Sequence, residues 1–347
     1  MLMKHRITSY SRYLGYLVVA GFLMATTCAL ADGGFLPYYG RVVWEPNQQA
    51  FIKYDEESNT EELILLPTFH SNSEDFGWVV PVPSLPNISV SEVRLFYECA
   101  WLTAPLVKNR GNSYGCSART DKPVYPTSGG VDIHDEQIVG IYRTLTVSST
   151  DSEALSDSLT AWGFLHEENS QTVQDAFEYY IERSWYFVAM KIDTTQLRAP
   201  TPDILRYGSL EPVQFNFTSE AIVYPLRISA ISAPPQTELL IYTCANGRLT
   251  FPGAITEYAN ELTSGEMGAI QSKYPVLAPH LQEGLFLTKL RRQLTPDEMT
   301  EDLLLIPAAS NDEYREVRYT SLPFTDGVML ALAGLLFIIP RIRKRRV

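Results

Sequence analysis

Short apolar runs recur along most of the chain, separated by polar turns. Their length and alternation are those of strands rather than of long helices. The first pair, "QAFIKY" at 49–54 and "ELILLPTF" at 62–69, is joined by the polar stretch "DEESNTE" and predicts an antiparallel hairpin. "FGWVVPV" follows at 76–82, apolar at both parities. A strand's period of two then sends Phe76, Trp78 and Val80 to one face and Val79 to the other, so the strand is expected to be covered on both sides. Prolines at 81, 83 and 86 close this run. Pro81 should end regular pairing or lie on an open edge. Pro83 and Pro86 should hold the exit extended, because the residue before a proline is steered away from helix.

A helix is expected next, opened by a capping box of Ser89 and Glu92, with Val93, Phe96, Tyr97, Ala100 and Trp101 on its buried face. Residues 104–135 are rich in Gly, Ser, Pro and Asn and read as an excursion loop. Beyond it, residues 137–149, 184–192, 212–218, 221–229, 238–245 and 284–294 read as strands. Asn246-Gly247 is a two-residue hairpin signal. Two amphipathic helices interrupt this series. The first is opened by Thr150 and Glu153, and the second carries Val173, Ala176, Phe177, Tyr180 and Ile181 on one face. Thr295, followed by Pro296 and with Glu298 three residues on, opens a short helical turn. The predicted class is a β-rich α+β fold of antiparallel sheets with a few packed helices.

The two ends differ from the body. Lys4, Arg6 and Arg12 precede an uncharged apolar stretch that ends in Ala29-Leu30-Ala31, the pattern of a signal peptide cleaved between Ala31 and Asp32. Residues 327–340 carry no charge and are followed by "RIRKRRV". Basic residues beyond an apolar span stay on the cytoplasmic side, which places the body outside. The span is short against the roughly 20 apolar residues a bilayer needs, so it reads as a short anchor or a sorting tail. The expected organisation is a signal peptide at 1–31, a β-rich subdomain with the excursion loop at 32–135, an α+β subdomain at 136–322, and an anchor or tail with a basic end at 323–347.

Charge sharpens this picture. The whole chain has 28 Lys+Arg and 40 Asp+Glu, and eight of the basic residues lie in the two end segments. A body this acidic excludes nucleic acid as a partner and disfavours docking on anionic lipid through charge. Outside the cytoplasm, Cys99 and Cys116 are the natural disulfide pair, being close in sequence and flanking a loop. Cys244, inside the apolar run "LLIYTCA", reads as a small core residue.

"ADGGFLP" at 31–37, "DFGWVVPVPSLP" at 75–86, "LTAWGF" at 159–164, "WYFVAMKID" at 185–193, "EPVQFNF" with "YPLRIS", and "LTKLRRQLTPDEMTEDLLL" at 287–305 together resemble the bacterial family catalogued as domain of unknown function 2330. The resemblance covers roughly residues 31–306. It implies an exported protein with a short apolar tail, and it implies no catalytic residues.

Candidate chemistry is thin. In an extended strand Asp132, His134 and Glu136 of "DIHDE" would share a face and offer oxygen and nitrogen ligands to a metal; a polar loop end accounts for them as well. The sequence holds no HExxH or CxxC motif. No catalytic residue or cofactor is assigned. Loop aromatics in "FLPYYG" and "YPTSGG" suggest binding platforms. The expected function is that of an exported, membrane-tethered cell-envelope protein, a structural or recognition module rather than an enzyme, whose partner is an envelope protein or glycan. An envelope hydrolase is the alternative.

Overall fold

The computed structural model describes residues 34–37, 43–44, 47–71, 76–109, 136–165, 170–192 and 207–320. Within them the fold is β-rich α+β, built on two large sheets. The larger runs in the order β20 (Tyr314–Arg315), β17 (Ile255–Glu261), β18 (Phe286–Leu294), β15 (Thr237–Ala245), β3 (Asn47–Asp55), β4 (Thr60–Leu66), β13 (Val213–Thr218) and β7 (Asn87–Val90). Its β15 and β3 are parallel, and its other neighbours are antiparallel. The second sheet is antiparallel throughout, in the order β1 (Gly34–Pro37), β6 (Phe76–Val82), β11 (Tyr186–Ile192), β10 (Tyr142–Val147) and β9 (Glu136–Val139). Two three-stranded sheets join β12 (Tyr207–Ser209), β5 (Thr68–Ser71) and β2 (Val43–Trp44), and β14 (Ile222–Tyr224), β19 (Leu303–Pro307) and β16 (Leu249–Thr250). A parallel ribbon pairs β21 (Val317–Thr320) with β8 (Leu106–Asn109). The helices are α1 (Arg94–Leu102), α2 (Ser152–Ala161), α3 (Ser170–Ile181) and α4 (Ser264–Lys273).

Burial arranges these elements in four layers. Residues alternating along β3, β4, β13 and β15, such as Ile52, Leu63, Phe215 and Ile241, share one core with Trp78, Val80 and Val82 of β6 and with Val188 and Met190 of β11. That core lies between the two large sheets. The opposite parity of the larger sheet, with Phe51, Ile64, Tyr242 and Leu287, packs under α1 and α4. The opposite parity of the smaller sheet, with Val79, Phe187 and Ala189, packs under α2 and α3. The order is therefore helix pair, sheet, sheet, helix pair. Both large sheets take strands from either side of residue 135, so the division expected there does not separate one sheet from the other.

The proline run behaves as its chemistry demands. Trp78, Val80 and Val82 face the central core and Val79 the outer one, and all four are buried. The pairing with β1 covers Phe76 to Val79 only, whereas β11 continues along β6 to Val82. Pro81 thus sits where one side of β6 has lost its neighbour, a place that needs no amide donor. Gly77 is required by a close approach: a Cβ there would stand 2.3 Å from the carbonyl oxygen of Phe164.

Several local expectations need correction. The helix after β6 begins at Arg94 with Val93 as its cap, and Ser89 lies in β7, so the Ser89/Glu92 box does not form. α1 buries Leu95, Phe96, Glu98 and Cys99 and leaves Tyr97 and Trp101 exposed, which rotates its buried face from the expected one. α2 is capped by Asp151, which accepts the Ala154 amide at 2.8 Å, one residue later than expected. The run 137–149 is two strands folded at Gly140, whose φ of +60° suits glycine. Asn246-Gly247 does not close a hairpin: β15 pairs with β3 and β18, and β16 pairs with β19. α4 was not expected, because its sequence buries only Met267 and Ile270 and carries two glycines, too little pattern to mark a helix. The Thr295/Glu298 box and the β3–β4 hairpin form as expected. No helix among the described residues is long and apolar enough to cross a membrane. The apolar segments at the two chain ends lie outside those residues.

Candidate functional site

The rotation of α1 sets up the site. With Leu95, Phe96 and Cys99 turned into the core, Tyr97 and Trp101, one helical turn apart, point outward and stack with ring centroids 6.3 Å apart. They are 57% and 56% exposed, unusual for two neighbouring large aromatics. Trp101 forms one wall of a groove between α1 and α4, with Tyr258 and Asn260 of β17, Lys273 and Tyr274 at the end of α4, and Arg315 of β20. The cavity is about 200 Å³. That is below the roughly 300–1,000 Å³ of pockets that enclose a drug-sized molecule, so it suits one ring-sized group of a longer ligand.

The polar groups of the groove are held in place. Arg315 donates from Nε to the Ala104 carbonyl at 2.8 Å and from Nη2 to the Leu102 carbonyl at 3.2 Å, closing the C-terminal end of α1. Its guanidinium carbon lies 5.5 Å from the Tyr258 ring centroid. Glu266 accepts the Thr263 backbone amide at 3.1 Å and the Thr263 hydroxyl at 2.8 Å, the capping box that starts α4, and the Asn260 side-chain Nδ2 at 2.9 Å. Burial pushes the Glu266 pKa up, but these donors outweigh it and the net shift is down, so the carboxylate is ionised at neutral pH. The groove therefore offers an aromatic plane, a fixed carboxylate and an ammonium.

A second polar cluster lies deeper. Asp302 accepts the Tyr180 hydroxyl at 2.7 Å and the Arg227 amide at 3.0 Å, both at Oδ1, and the Ile228 amide donates to the Tyr180 oxygen at 3.0 Å. Arg227 also donates to the Thr300 carbonyl, and the guanidinium carbons of Arg183 and Arg227 lie 3.6 and 4.4 Å from the Tyr179 ring centroid. Burial raises the Asp302 pKa to about 6 despite these donors. The residue as a whole is only half-buried, but its Oδ2 is closed to solvent, and the carboxylate's own enclosure sets the shift. The cluster ties α3 to the turn at Arg227–Ile231 and to the start of β19, and works as a clasp rather than an open site. Glu61 is another enclosed acid: it accepts the Val223 amide at 3.0 Å, and burial holds its pKa well above the usual carboxylate range.

The residues singled out from sequence fare differently. Glu136 begins β9, while Asp132 and His134 lie outside the described residues. Among the described residues no group of three His, Cys, Asp or Glu side chains could hold a metal. Cys99 and Cys244 are buried in the same core, and neither is bridged among the described residues; Cys116 lies outside them. Burial pushes the Cys244 thiol up to about 11 and the Cys99 thiol well above its ordinary value, so neither is poised as a nucleophile. The Ala31–Asp32 junction and the side chains of both loop-aromatic stretches also fall outside the description. Trp78 is buried as expected, whereas Trp101, expected on the buried face of α1, is exposed, and so is Trp162. The groove was legible only in part: Tyr97 and Trp101 stand out in the sequence, but the helix phase that exposes them depends on which residues the sheet beneath accepts.

A family described as an uncharacterized protein conserved in bacteria, domain of unknown function 2330, matches residues 25–305. No curated protein matches the chain. A crystal structure of baculovirus P35 is similar at 12% identity, with a TM-score of 0.32, over 82% of this chain and 100% of that one.

Proposed function

The chain belongs to this family of uncharacterized bacterial proteins, and from that premise we propose that it is an extracytoplasmic recognition module, held at the membrane by its C-terminal tail, whose groove binds an envelope glycan. The observation that carries the reading is the stacked Tyr97–Trp101 pair, more than half exposed at the edge of a groove that also holds Glu266 and Lys273. A sugar ring presents an apolar C–H face and a rim of hydroxyls. An exposed indole takes the first, and a fixed carboxylate and an ammonium take the second. The location rests on the basic-then-apolar start, the Ala31–Asp32 junction and the apolar-then-basic end of the sequence. Calorimetric titration of the purified protein with a panel of envelope oligosaccharides tests it. Saturable binding that Trp101→Ala weakens roughly 10–100-fold supports the reading, and absence of binding to every member of the panel refutes it. N-terminal sequencing of the exported protein should start at Asp32, and a start at Met1 removes the cleavage.

A further inference from the structure

The β8–β21 ribbon sits at the point where the described chain meets its apolar tail. Leu106 pairs with Val317, Val107 with Arg318, Lys108 with Tyr319 and Asn109 with Thr320. Paired residues of a ribbon share a face, and alternate residues share it too. Leu106 and Tyr319 are therefore on one face and Val107 on the other. Leu106 is 44% exposed, Val107 63% and Tyr319 61%. A ribbon lying on the body would bury one face; this one exposes apolar side chains on both. A two-stranded ribbon is also marginal in water without further cover. The Arg318 guanidinium beside Val107 is already paired with Glu316, at 2.8 and 3.2 Å.

The chain supplies the reason. Thr320 ends β21, and residues 321–326 lead to the uncharged run 327–340 and its basic end. Six residues span at most about 20 Å even when fully extended, at ~3.3–3.6 Å each. If the tail spans the bilayer, the tip of the ribbon is confined to the neighbourhood of the membrane surface. Tyrosine and aliphatic side chains along an exposed ribbon suit the boundary between headgroups and acyl chains. We infer that the β8–β21 ribbon is a membrane-seating element, its exposed side chains Leu106, Val107 and Tyr319 entering the headgroup region of the bilayer that holds the tail. This rests on the tether in the proposed function. It adds a fixed orientation of the body, with the end of α1 and β20, which wall the groove, next in the chain to the seated ribbon.

The test uses the mature chain, residues 32–347 with the tail intact, reconstituted in phosphatidylcholine vesicles. A polarity-sensitive fluorophore is placed at Val107→Cys, and for comparison at Ile138→Cys, an equally exposed position on the edge strand β9. Both carry Cys116→Ser, which leaves Cys99 and Cys244, buried, as the other cysteines of the mature chain. Thermal melts check that each variant is folded. The expected result is flotation of both proteins with the vesicles, together with a blue shift and loss of emission to shallow lipid-borne quenchers at position 107 but not at 138. Flotation with equal quenching at the two positions overturns the seating and leaves the tether standing. A protein that does not float overturns the tether, and the seating with it. A blue shift at 107 that follows protein-to-lipid ratio and ignores quencher depth assigns the ribbon to a second copy of the chain and overturns the membrane reading.

Discussion

Asp302→Asn should change the way stability depends on pH. Burial raises the Asp302 pKa from 3.8 to about 6 in the fold. The folded state therefore holds the proton more tightly than the unfolded chain does. For such a group the stability is greatest below the unfolded pKa, falls as pH rises from about 4, and has lost its full increment above about 6. Two units at 1.36 kcal/mol each give about 3 kcal/mol of stability lost between pH 4 and pH 7. Asparagine keeps an oxygen to accept the Tyr180 hydroxyl and the Arg227 amide, and it never ionises. Its amide hydrogens would stand where Oδ2 has no partner, costing about 1–2 kcal/mol. The variant should then be less stable than wild type at pH 4 and more stable by about 1–2 kcal/mol at pH 7. Urea denaturation at half-unit steps from pH 4 to 7.5 reads this directly. Subtracting the two curves removes Glu61 and every other acid common to both proteins. A difference that stays flat from pH 4 to 7 refutes the enclosed, strained carboxylate.

Three further substitutions probe the frame. Trp78→Ala removes a buried ring that meets Tyr142 and Phe215, at centroid distances of 6.1 and 6.5 Å, and should lower stability by about 3–5 kcal/mol in equilibrium unfolding; an unchanged melting midpoint would contradict the two-sided burial of β6. Gly77→Ala places a Cβ on the Phe164 carbonyl, so the protein should lose stability more than a solvent-side glycine-to-alanine control at Gly268, which has open space; equal melting temperatures would deny the contact. Glu98→Ala leaves the Val276 and Leu277 amides, each 2.9 Å from Oε2, and the Arg94 guanidinium without their buried acceptor, and should cost about 3–5 kcal/mol in urea titrations; a loss below about 1 kcal/mol would count Glu98 as a surface pair.

How far the sequence could be read depended on where each element takes its instructions. β6 was legible at Trp78, Val79 and Val80, because a run apolar at both parities has only one stable placement, between two cores; the Phe76 side chain lies outside the description. The Thr295/Glu298 box was legible because both partners of the hydrogen bonds lie within four residues. α1 was legible as a helix but not in its phase: Tyr97 and Trp101 carry as large an apolar surface as Leu95 and Cys99, and the choice between them is made by Phe51, Tyr242 and Cys244 in strands distant in sequence. Asn246-Gly247 signals a tight turn, but β15 already has neighbours on both sides in β3 and β18, so nothing remained for β16 to pair with there. The clasp at Asp302 joins residues 180, 227 and 302, and no local pattern announces such a meeting.

The claim at the centre of this account is that the groove beside Tyr97 and Trp101 recognises a sugar ring. The most direct measurement is calorimetric titration of one binding envelope oligosaccharide into three proteins: wild type, Trp101→Ala, and Trp162→Ala, the last removing an indole that is also half exposed but does not line the groove. Burying an indole face against the sugar is worth about 1.5–3 kcal/mol, so Trp101→Ala should weaken binding roughly 10–100-fold. Trp162→Ala should bind as wild type does. Equal affinity for all three proteins, or an equal loss in both variants, would contradict the account.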